Sequence, residues 1–371
     1  MIDDWIGAMR VNILLTGHYK HIFQNGNCFK EKKGTFLDNN YFKFTKLKEA
    51  FAIKGINLIA SHEICSYENI DAIIVNDQPK DKELLMKIKG YLGPKFLIAE
   101  EAPFIYPGNY DLKRAHEYNK IFTYLNANVL NENYVYAFPF FLDRNEAIKI
   151  RQKDIDPALK KKKVFVGTQK KPQEKIIANS NYSKRDEFIK WYIANEPNDF
   201  DLYGRKWDRR YFYGDGLIQK LLNYHKLDNL SIMKSSQYAS VYRGQLGSKY
   251  GELSKYKYQF CFENSIGYEG FITEKIIDSL MCRNVPVYYP STKTSLRNII
   301  PDDIYINIYD FKSFEELNSY LNNINKIEYI NFIDRIDNFI DNLPEILHEE
   351  HWANLVVDNV MSEIGKKIHE K

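Results

Sequence analysis

Short apolar runs alternate with amphipathic stretches along this sequence, and this alternation constrains the fold more than any other feature. In the first half, four such runs have the length of buried strands; they lie at residues 11–15, 72–75, 95–99 and 121–124. Residues 81–90, between two of the runs, have helical spacing and end on a glycine. Strands that alternate with helices in this way are typical of a parallel sheet covered by helices.

A second series of the same kind follows residue 163. Its predicted strands lie at 164–167, 200–204, 258–262, 285–289 and 304–308, and its predicted helices at 185–191, 273–282 and 345–371. We interpret the polar segment 143–163, which contains four consecutive lysines, as the connection between two domains. The predicted fold class is therefore α/β, with two Rossmann-like domains that face each other across a cleft.

The composition excludes several classes of protein. The 371 residues suffice for two domains, and 52 Lys and Arg against 49 Asp and Glu leave a net charge of only +3, too small to drive binding to nucleic acid. Four separated cysteines, at 28, 65, 261 and 282, form no C-x-x-C pair and indicate reduced thiols. No apolar run approaches the roughly 20 residues that span a bilayer, and residues 1–4 do not resemble a signal peptide. We expect a cytoplasmic protein without a nucleic-acid partner and with at most peripheral contact to a membrane.

The segment 262–275, FENSIGYEGFITEK, is the most informative one. A predicted strand ends at Phe262, a loop with two glycines follows, and a helix opens with Thr273, Glu274 and Lys275. Thr273 is a suitable N-cap, Glu274 suits the positive end of the helix dipole, and Lys275 adds a mobile positive charge. Glycines and free backbone N–H groups at such a helix start can receive a diphosphate. The residues alone are equally compatible with an ordinary capped helix after a flexible loop.

Together with its flanking segments, this motif resembles the signature of glycosyltransferase family 10, the α1,3/4-fucosyltransferases that use GDP-fucose. The flanking segments are DLYGRKW at 201–207, the stretch from Tyr242 through Lys249 to Tyr258, and residues 310–321. The resemblance covers about residues 160–325 well and the first half only weakly.

The resemblance implies a GT-B fold with an acceptor-binding domain at residues 1–155 and a GDP-sugar donor domain at 156–345. Residues 346–371 would form a helix that packs back on the first domain. The implied reaction moves L-fucose from GDP-β-L-fucose to a glycan hydroxyl, on GlcNAc or Glc of a galactoside, with inversion and without an obligatory metal. The acceptor would be an oligosaccharide or a lipid-linked glycan.

Two sequence features agree with an inverting, metal-independent enzyme. Ile266, eight residues before Glu274, occupies the place of the first glutamate in the E-x7-E pattern of many retaining enzymes. The two D-x-D triplets, at 154–156 and 199–201, lie in the predicted connection and before a strand, where a catalytic metal is not expected.

The resemblance also assigns roles to residues. Lys275 and Arg185 would hold the diphosphate, and Glu274 would bond ribose or sugar hydroxyls. Phe271 stands where some bacterial members have tyrosine, and Tyr268 is the candidate to replace the missing hydroxyl. The full set assigned to donor binding is Arg185, Glu263, Asn264, Tyr268, Phe271, Glu274 and Lys275, with supporting positions at Tyr203, Gly204 and Lys249.

Glu101 is the predicted general base. It follows the strand 95–99 at the carboxyl edge of the sheet, where sites of open α/β folds gather, and Asp77 follows the neighbouring strand. The segment 99–103 resembles the family's acidic position, which aligns with Glu101 rather than Glu100. Because neighbouring carboxylates repel each other, one of the two glutamates is expected to have a raised pKa. The rival base is Glu263, and a purely solvent-exposed glutamate pair is the simpler alternative.

Two other functions remain open at this point. The same fold could use another GDP-hexose or GDP-deoxyhexose as donor. A module that binds a nucleotide sugar without turnover would keep the donor motif and would need no base on the acceptor side.

Overall fold

The computed structural model describes residues 11–30, 42–125, 132–153, 156, 159–168, 177–208, 237–293, 296 and 299–369. These residues form two compact units. Unit 1 comprises the described residues up to Phe141 together with those from Pro344 onward, and unit 2 comprises those from Leu142 to Leu343.

Unit 1 contains a parallel sheet of six described strands in the order β2-β1-β3-β4-β5-β6. The strands are β1 (Asn12–Gly17), β2 (Asn57–Ala60), β3 (Ala72–Asn76), β4 (Lys95–Ala99), β5 (Lys120–Thr123) and β6 (Tyr134–Tyr136). The helices before residue 141 are α1 (Lys20–Phe23), α2 (Phe42–Ile53) and α3 (Lys82–Gly90). The central strand β3 is buried at every position because both faces of the sheet are covered, whereas the edge strand β2 alternates between exposed and buried residues.

Unit 2 contains a second parallel sheet, with five described strands in the order β11-β10-β9-β7-β8. The strands are β7 (Lys161–Val166), β8 (Phe200–Tyr203), β9 (Tyr256–Phe262), β10 (Val285–Tyr289) and β11 (Ile306–Asn307). The helices are α4 (Arg144–Gln152), α5 (Tyr182–Asn195), α6 (Lys249–Leu253), α7 (Glu274–Met281), α8 (Phe314–Asn323) and α9 (Lys326–Asp341). Short 3₁₀ turns occur in both units. In unit 1 they lie at Gln24–Phe29, Pro107–Tyr110, Ala115–Glu117 and Glu345–Leu347, and in unit 2 at Asp302–Ile304 and Ile308–Asp310. The prediction of two Rossmann-like α/β units is confirmed.

The segment 143–163 is not the polar connection that the sequence predicts. It contains α4, whose N-cap Asp143 accepts a hydrogen bond from the backbone of Glu146, and the start of β7. Lys163 in β7 is 1% exposed, and its Nζ donates to Asp199 Oδ2 at 2.7 Å. Unit 2 therefore begins at Leu142, rather than at the predicted residue 156.

The last helix, α10 (Glu349–His369), belongs to unit 1. Its buried face places Trp352, Val356 and Val360 in the same core as Phe44 and Leu47 of α2. At its start, the Nζ of Lys46 lies 2.9 Å from Glu349 Oε1. The core of unit 1 is therefore closed by a helix that follows unit 2 in the chain.

Candidate functional site

In unit 2, Glu263 directly follows β9, and its carboxylate binds other residues of the protein. Glu263 is 1% exposed, and its carboxylate accepts hydrogen bonds from the Thr273 N–H at 2.9 Å, the Thr273 hydroxyl at 2.7 Å and the Tyr288 hydroxyl at 2.8 Å. Burial raises the pKa of Glu263, while Lys275, with its Nζ 3.6 Å from Oε2, acts in the opposite direction. Glu263 thus fixes the start of α7 relative to β9 and β10.

The start of α7 differs in one respect from the prediction. Thr273 occupies the N-cap position, but its hydroxyl donates to Glu263 and accepts from Lys275 Nζ at 2.7 Å. Thr273 therefore makes no side-chain capping bond to the described backbone of α7. The first N–H groups of a helix have no partner within the helix, so this start keeps the capacity to bind an anion.

Lys275 and Glu274 are held as ions. The Lys275 Nζ lies 3.3 Å from Glu274 Oε1, and although burial opposes its charge, Glu274 and Glu263 raise the pKa of Lys275. Burial would raise the pKa of Glu274, but the charges of Lys275 and Lys249 lower it to about 2. Both side chains are therefore charged at neutral pH.

Lys249 and Asp278 form a buried ion pair next to this cluster. Lys249 lies in the first turn of α6, and burial acts against its charge, yet Asp278 and Glu274 raise its pKa. Asp278 was not predicted from the sequence. Its signal is its spacing, because it lies one helical turn after Glu274 and therefore on the same face of α7.

Arg185 lies on α5 and is 5% exposed. Its Nη2 donates to the Thr168 carbonyl at 2.7 Å, and its guanidinium carbon lies 4.7 Å from the centroid of the Tyr182 ring. One turn later, Phe188 packs edge-on against Phe260 of β9 with ring centroids 4.6 Å apart. This packing fixes α5 against the central strand and so sets the position of Arg185.

These groups surround a cavity of about 170 Å³ at the carboxyl ends of β7 and β9. Five of the predicted donor residues line it: Arg185, Lys249, Asn264, Glu274 and Lys275. The remaining lining residues are Val166, Gly167, Thr168, Tyr182, Gln259 and Asp278. The cavity wall thus carries three cations together with the carboxylates of Glu274 and Asp278.

Other predicted residues lie outside this lining. The hydroxyl of Tyr203 donates to Glu252 at 2.9 Å, the backbone of Tyr268 donates to Ser291 Oγ at 3.0 Å, and Phe271 is buried. Gly204 has φ +132°, and a Cβ there would lie 1.7 Å from the Gly167 carbonyl oxygen. Only glycine allows this approach, so Gly204 shapes the cavity wall through Gly167.

A larger cavity of about 460 Å³ lies beside β11. It contains none of the residues predicted to bind the donor, although Asp310, Phe311 and Tyr320 of the family-like segment 310–321 line it. Its charged lining consists of Asp302, Asp303 and Asp310 with Lys293 and Arg335. Carboxylates outnumber cations there, so a diphosphate is favoured at the smaller cavity instead.

In unit 1 a group of carboxylates lies where β3 and β4 end. Asp77 has φ +50°, and its Oδ1 accepts hydrogen bonds from the backbone N–H groups of Glu100 at 2.9 Å and Glu101 at 3.1 Å, and from Asn109 Nδ2 at 2.7 Å. Burial, Glu100 and Glu101 raise the pKa of Asp77 to about 7, although these hydrogen bonds lower it. The sequence predicts a raised pKa for one of the two glutamates. In the structure, the raised pKa at this edge is that of Asp77.

Glu100 and Glu101 have different partners. Glu100 Oε1 lies 2.5 Å from the Nζ of Lys43, and the side chain of Glu100 is only 14% exposed. Glu101 Oε1 accepts a hydrogen bond from the hydroxyl of Tyr19 at 2.7 Å. Of the two, Glu101 is thus the carboxylate that is not neutralised by a lysine within the described part of the chain.

The described residues contain neither a metal-ligand cluster nor a membrane-spanning helix. Within the described ranges, no group of three or more His, Cys, Asp and Glu side chains is arranged to hold a metal ion. Asp199 and Asp201 of the second D-x-D triplet pair with Lys163 and Arg243, whereas Asp154 of the first lies outside the described residues. None of the described helices is long and apolar enough to cross a bilayer.

The sequence of this chain is similar in part to fucosyltransferases. The family model for the C-terminal domain of glycosyltransferase family 10 (fucosyltransferase) matches residues 207–345. The Helicobacter pylori alpha-(1,3)-fucosyltransferase FucT is 41% identical over 69 residues, which are 19% of this chain and 14% of that protein. The Homo sapiens 4-galactosyl-N-acetylglucosaminide 3-alpha-L-fucosyltransferase 9 is 34% identical over 110 residues, 29% of this chain and 30% of that protein. The matched segments therefore span less than a third of either relative.

Solved structures match over nearly the whole chain. A crystal structure of an alpha1,3-fucosyltransferase is 15% identical, with a TM-score of 0.50, and the match covers 91% of this chain and 92% of that one. The DNA-modifying enzyme beta-glucosyltransferase is 12% identical, also with a TM-score of 0.50, over 94% of this chain and 99% of that one. At these identities the likeness concerns the fold, which is of the GT-B type. The motif set of this chain, the family model and the curated relatives agree: residues 207–345 match the C-terminal domain of glycosyltransferase family 10 (fucosyltransferase).

Proposed function

We propose that this protein is a glycosyltransferase that moves L-fucose from GDP-β-L-fucose to a hydroxyl of a glycan acceptor. The observation that carries the proposal is the cavity in unit 2, where Arg185, Lys249 and Lys275 surround the start of α7 within the family-10 segment. The names of the relatives favour a 3-linked fucose and an acceptor that contains a galactosylated N-acetylglucosamine.

On the donor side, Arg185 and Lys275 hold the diphosphate. The planar guanidinium of arginine can bind phosphate oxygens in a bidentate manner, and the ammonium of lysine adds a point charge. Glu274 is ionised and partly exposed, with 38% of its side chain accessible, so it can accept hydrogen bonds from ribose or sugar hydroxyls. Glu263, which is fully engaged within the protein, keeps Lys275 in place.

The reaction is a single displacement with inversion. The Glu101 carboxylate takes the proton of an acceptor hydroxyl while the hydroxyl oxygen forms a bond to C1 of fucose and the bond from C1 to the GDP oxygen breaks. Negative charge develops on the leaving diphosphate, where Arg185, Lys275 and the N–H groups of α7 stabilise it. These cations supply the charge that a metal supplies elsewhere, and we propose that no metal is obligatory.

A second candidate keeps the fold and reaction but changes the donor to another GDP-hexose or GDP-deoxyhexose. It is favoured by Phe271, which is 2% exposed and has no hydroxyl where some bacterial members have one. The fucosyl donor remains the main proposal because the relatives from Helicobacter pylori and Homo sapiens are fucosyltransferases.

A panel of GDP- and UDP-sugars tests these alternatives. The protein is incubated with each sugar nucleotide and with lactose or N-acetyllactosamine, nucleotide release is followed, and the products are analysed by mass spectrometry and NMR. GDP-fucose should give an α-linked fucosylated product. Transfer from a different GDP-sugar alone would establish the second candidate, and GDP binding without transfer to any acceptor would indicate a non-catalytic module.

A further inference from the structure

Glu101 is contacted at its carboxylate by a residue from a distant part of unit 1. Tyr19 lies just after β1, and its hydroxyl donates to Glu101 Oε1 at 2.7 Å. Burial and the charge of Glu101 raise the pKa of Tyr19 far above its usual range, so the hydroxyl stays protonated and remains a donor. The ring is supported by His18, which packs edge-on against both Tyr19 and Tyr106 with centroids 4.6 and 4.7 Å away.

The backbone of Glu101 is fixed by a second residue. Asp77 Oδ1 accepts the N–H groups of both Glu100 and Glu101, and also Asn109 Nδ2. Asn109 in turn accepts the backbone N–H of Gln78 at 2.9 Å through its own Oδ1. The ends of β3 and β4 and the turn at Pro107–Tyr110 are thereby joined at one buried carboxylate oxygen.

The neighbouring residue, Glu100, has other partners than Glu101. The carboxylate of Glu100 pairs with Lys43, and the Tyr124 hydroxyl donates to its carbonyl at 2.5 Å. Of the two adjacent glutamates, Glu100 is therefore directed towards α2, while Glu101 is directed towards Tyr19.

We propose that Tyr19 and Asp77 are positioning residues for Glu101, Tyr19 at its carboxylate and Asp77 at its backbone. The proposal rests on the proposed function insofar as Glu101 is the general base. Because Tyr19 occupies Oε1, Oε2 is the oxygen that we assign to the acceptor proton.

The charged and titratable groups that face Glu101 come from several elements. They are Tyr19 after β1, Asp77 after β3, the adjacent Glu100 with its partner Lys43 on α2, and Tyr106 before the 3₁₀ turn. The carboxylates repel the charge of Glu101, whereas the Tyr19 hydroxyl donates a hydrogen bond to it. The contribution of Tyr19 must therefore be measured by removing its hydroxyl alone.

The first test replaces Tyr19 by Phe. Loss of a hydrogen bond to a charged group predicts a fall in kcat of about 10-fold, an unchanged KM for GDP-fucose, and an acid limb of the pH profile that moves about one pH unit higher. Tyr106→Phe is the matched control, because the Tyr106 hydroxyl is buried without a hydrogen-bond partner among the described residues. An unchanged profile in Tyr19→Phe, or an equal shift in Tyr106→Phe, would overturn the role of Tyr19.

A spectroscopic titration separates this proposal from the proposed function. Glutamate labelled with ¹³C at the carboxyl carbon is titrated in the protein, and the Glu101 signal is assigned from its loss in Glu101→Gln. Tyr19→Phe should raise the midpoint of that signal whether or not Glu101 acts as the base. A raised midpoint with an unchanged rate would refute Glu101 as the base and leave the contact standing, whereas an unchanged midpoint would refute the contact.

The second test compares two substitutions of Asp77. Asn retains an acceptor oxygen and tolerates the left-handed backbone at φ +50°, whereas Gly retains only the backbone freedom. Asp77→Asn should keep kcat within about threefold, and Asp77→Gly should lose about 10- to 100-fold in kcat at unchanged KM for GDP-fucose. Amide exchange at Glu100 and Glu101 should be accelerated only in Asp77→Gly.

Two outcomes would overturn the role of Asp77. One is equal activity in both variants. The other is a loss of more than 10-fold in Asp77→Asn with intact GDP binding, which would mean that the charge of Asp77, and not its acceptor oxygen, is required. The second outcome is decisive even if Asp77→Gly does not fold.

Discussion

The two units present opposite arrangements of charge at the same place in the same architecture. Among the described residues at the carboxyl ends of the strands, unit 1 holds the carboxylates Asp77, Glu100 and Glu101, and Lys43 pairs with Glu100. Unit 2 holds cations next to carboxylates at the corresponding place. The cations are Arg185, Lys249 and Lys275, and the carboxylates are Glu263, Glu274 and Asp278.

This difference changes proton affinity in opposite directions. Crowded carboxylates, together with burial, raise the pKa of Asp77 to about 7. Nearby lysines lower the pKa of Glu274 to about 2, although desolvation by the surrounding protein acts in the opposite direction. An edge with excess negative charge is suited to accept a proton, whereas an edge with permanently charged cations is suited to hold an anion. The same fold thus provides two chemically different sites.

The largest expected effect tests the proton-accepting edge. Glu101→Gln should lower the transfer rate by about 10²- to 10⁴-fold, because the amide cannot accept the proton, while GDP affinity stays nearly unchanged. Steady-state kinetics and calorimetry with GDP measure the two quantities. Glu100→Gln is the control for charge at this edge. If that variant, or Glu263→Gln, abolishes transfer while Glu101→Gln retains it, the base has been assigned to the wrong residue.

The next effect concerns the pH dependence of stability in unit 1. The pKa of Asp77 is raised in the folded state, so its contribution to the free energy of unfolding is complete below about pH 4 and is lost as the pH rises through about 7. Asp77→Asn removes this titration. The free energy of unfolding of the variant, taken relative to that of the wild type, should therefore rise by up to about 4 kcal/mol between pH 4 and pH 8. Urea denaturation at several pH values measures the free energy of unfolding of both proteins. The same dependence on pH in the two proteins would contradict the raised pKa of Asp77.

A smaller effect tests the anion-binding edge. Lys275→Ala should weaken GDP binding by about 1.5–3 kcal/mol, the usual contribution of a charge-assisted contact. The control is Lys293→Ala, since Lys293 lines the larger cavity beside β11 and should not affect GDP affinity. Calorimetry that finds unchanged affinity in Lys275→Ala and reduced affinity in Lys293→Ala would move the nucleotide to the larger cavity. Thermal unfolding of both variants reports any loss of fold.

The two edges also differ in how far the sequence predicts them. In unit 2, Glu263, Thr273, Glu274 and Lys275 lie within one short segment, so their proximity follows from a strand, a loop and a helix start in sequence. Thr273 is the N-cap of α7, as predicted, but its hydroxyl makes no capping bond to the described backbone of that helix. A buried carboxylate competes with the backbone for its hydroxyl, and only the three-dimensional contact with Glu263 decides that competition.

In unit 1 the partners of the predicted base come from separate elements. Tyr19 lies 82 residues before Glu101, and Asn109 reaches Asp77 from a turn 32 residues later. No local spacing signals such contacts, so the sequence identifies the edge of the sheet but not the residues that position Glu101. The interpretation of the lysine run at 160–163 fails for the same reason, because Lys163 is buried against Asp199 and Asn322, which lie 36 and 159 residues later.

The smallest expected effect is on metal dependence, where we predict that transfer continues in EDTA. In the proposed reaction, charge on the leaving diphosphate is compensated by Arg185, Lys275 and the start of α7. The D-x-D aspartates at 199 and 201 are already paired, with Lys163 Nζ at 2.7 Å and Arg243 Nε at 2.6 Å, so a divalent ion would have to displace both cations. Initial rates with and without EDTA should agree within about twofold. A rate that falls to background in EDTA and returns with manganese would show that the cations of unit 2 are insufficient by themselves, and that the two edges differ less than their charges indicate.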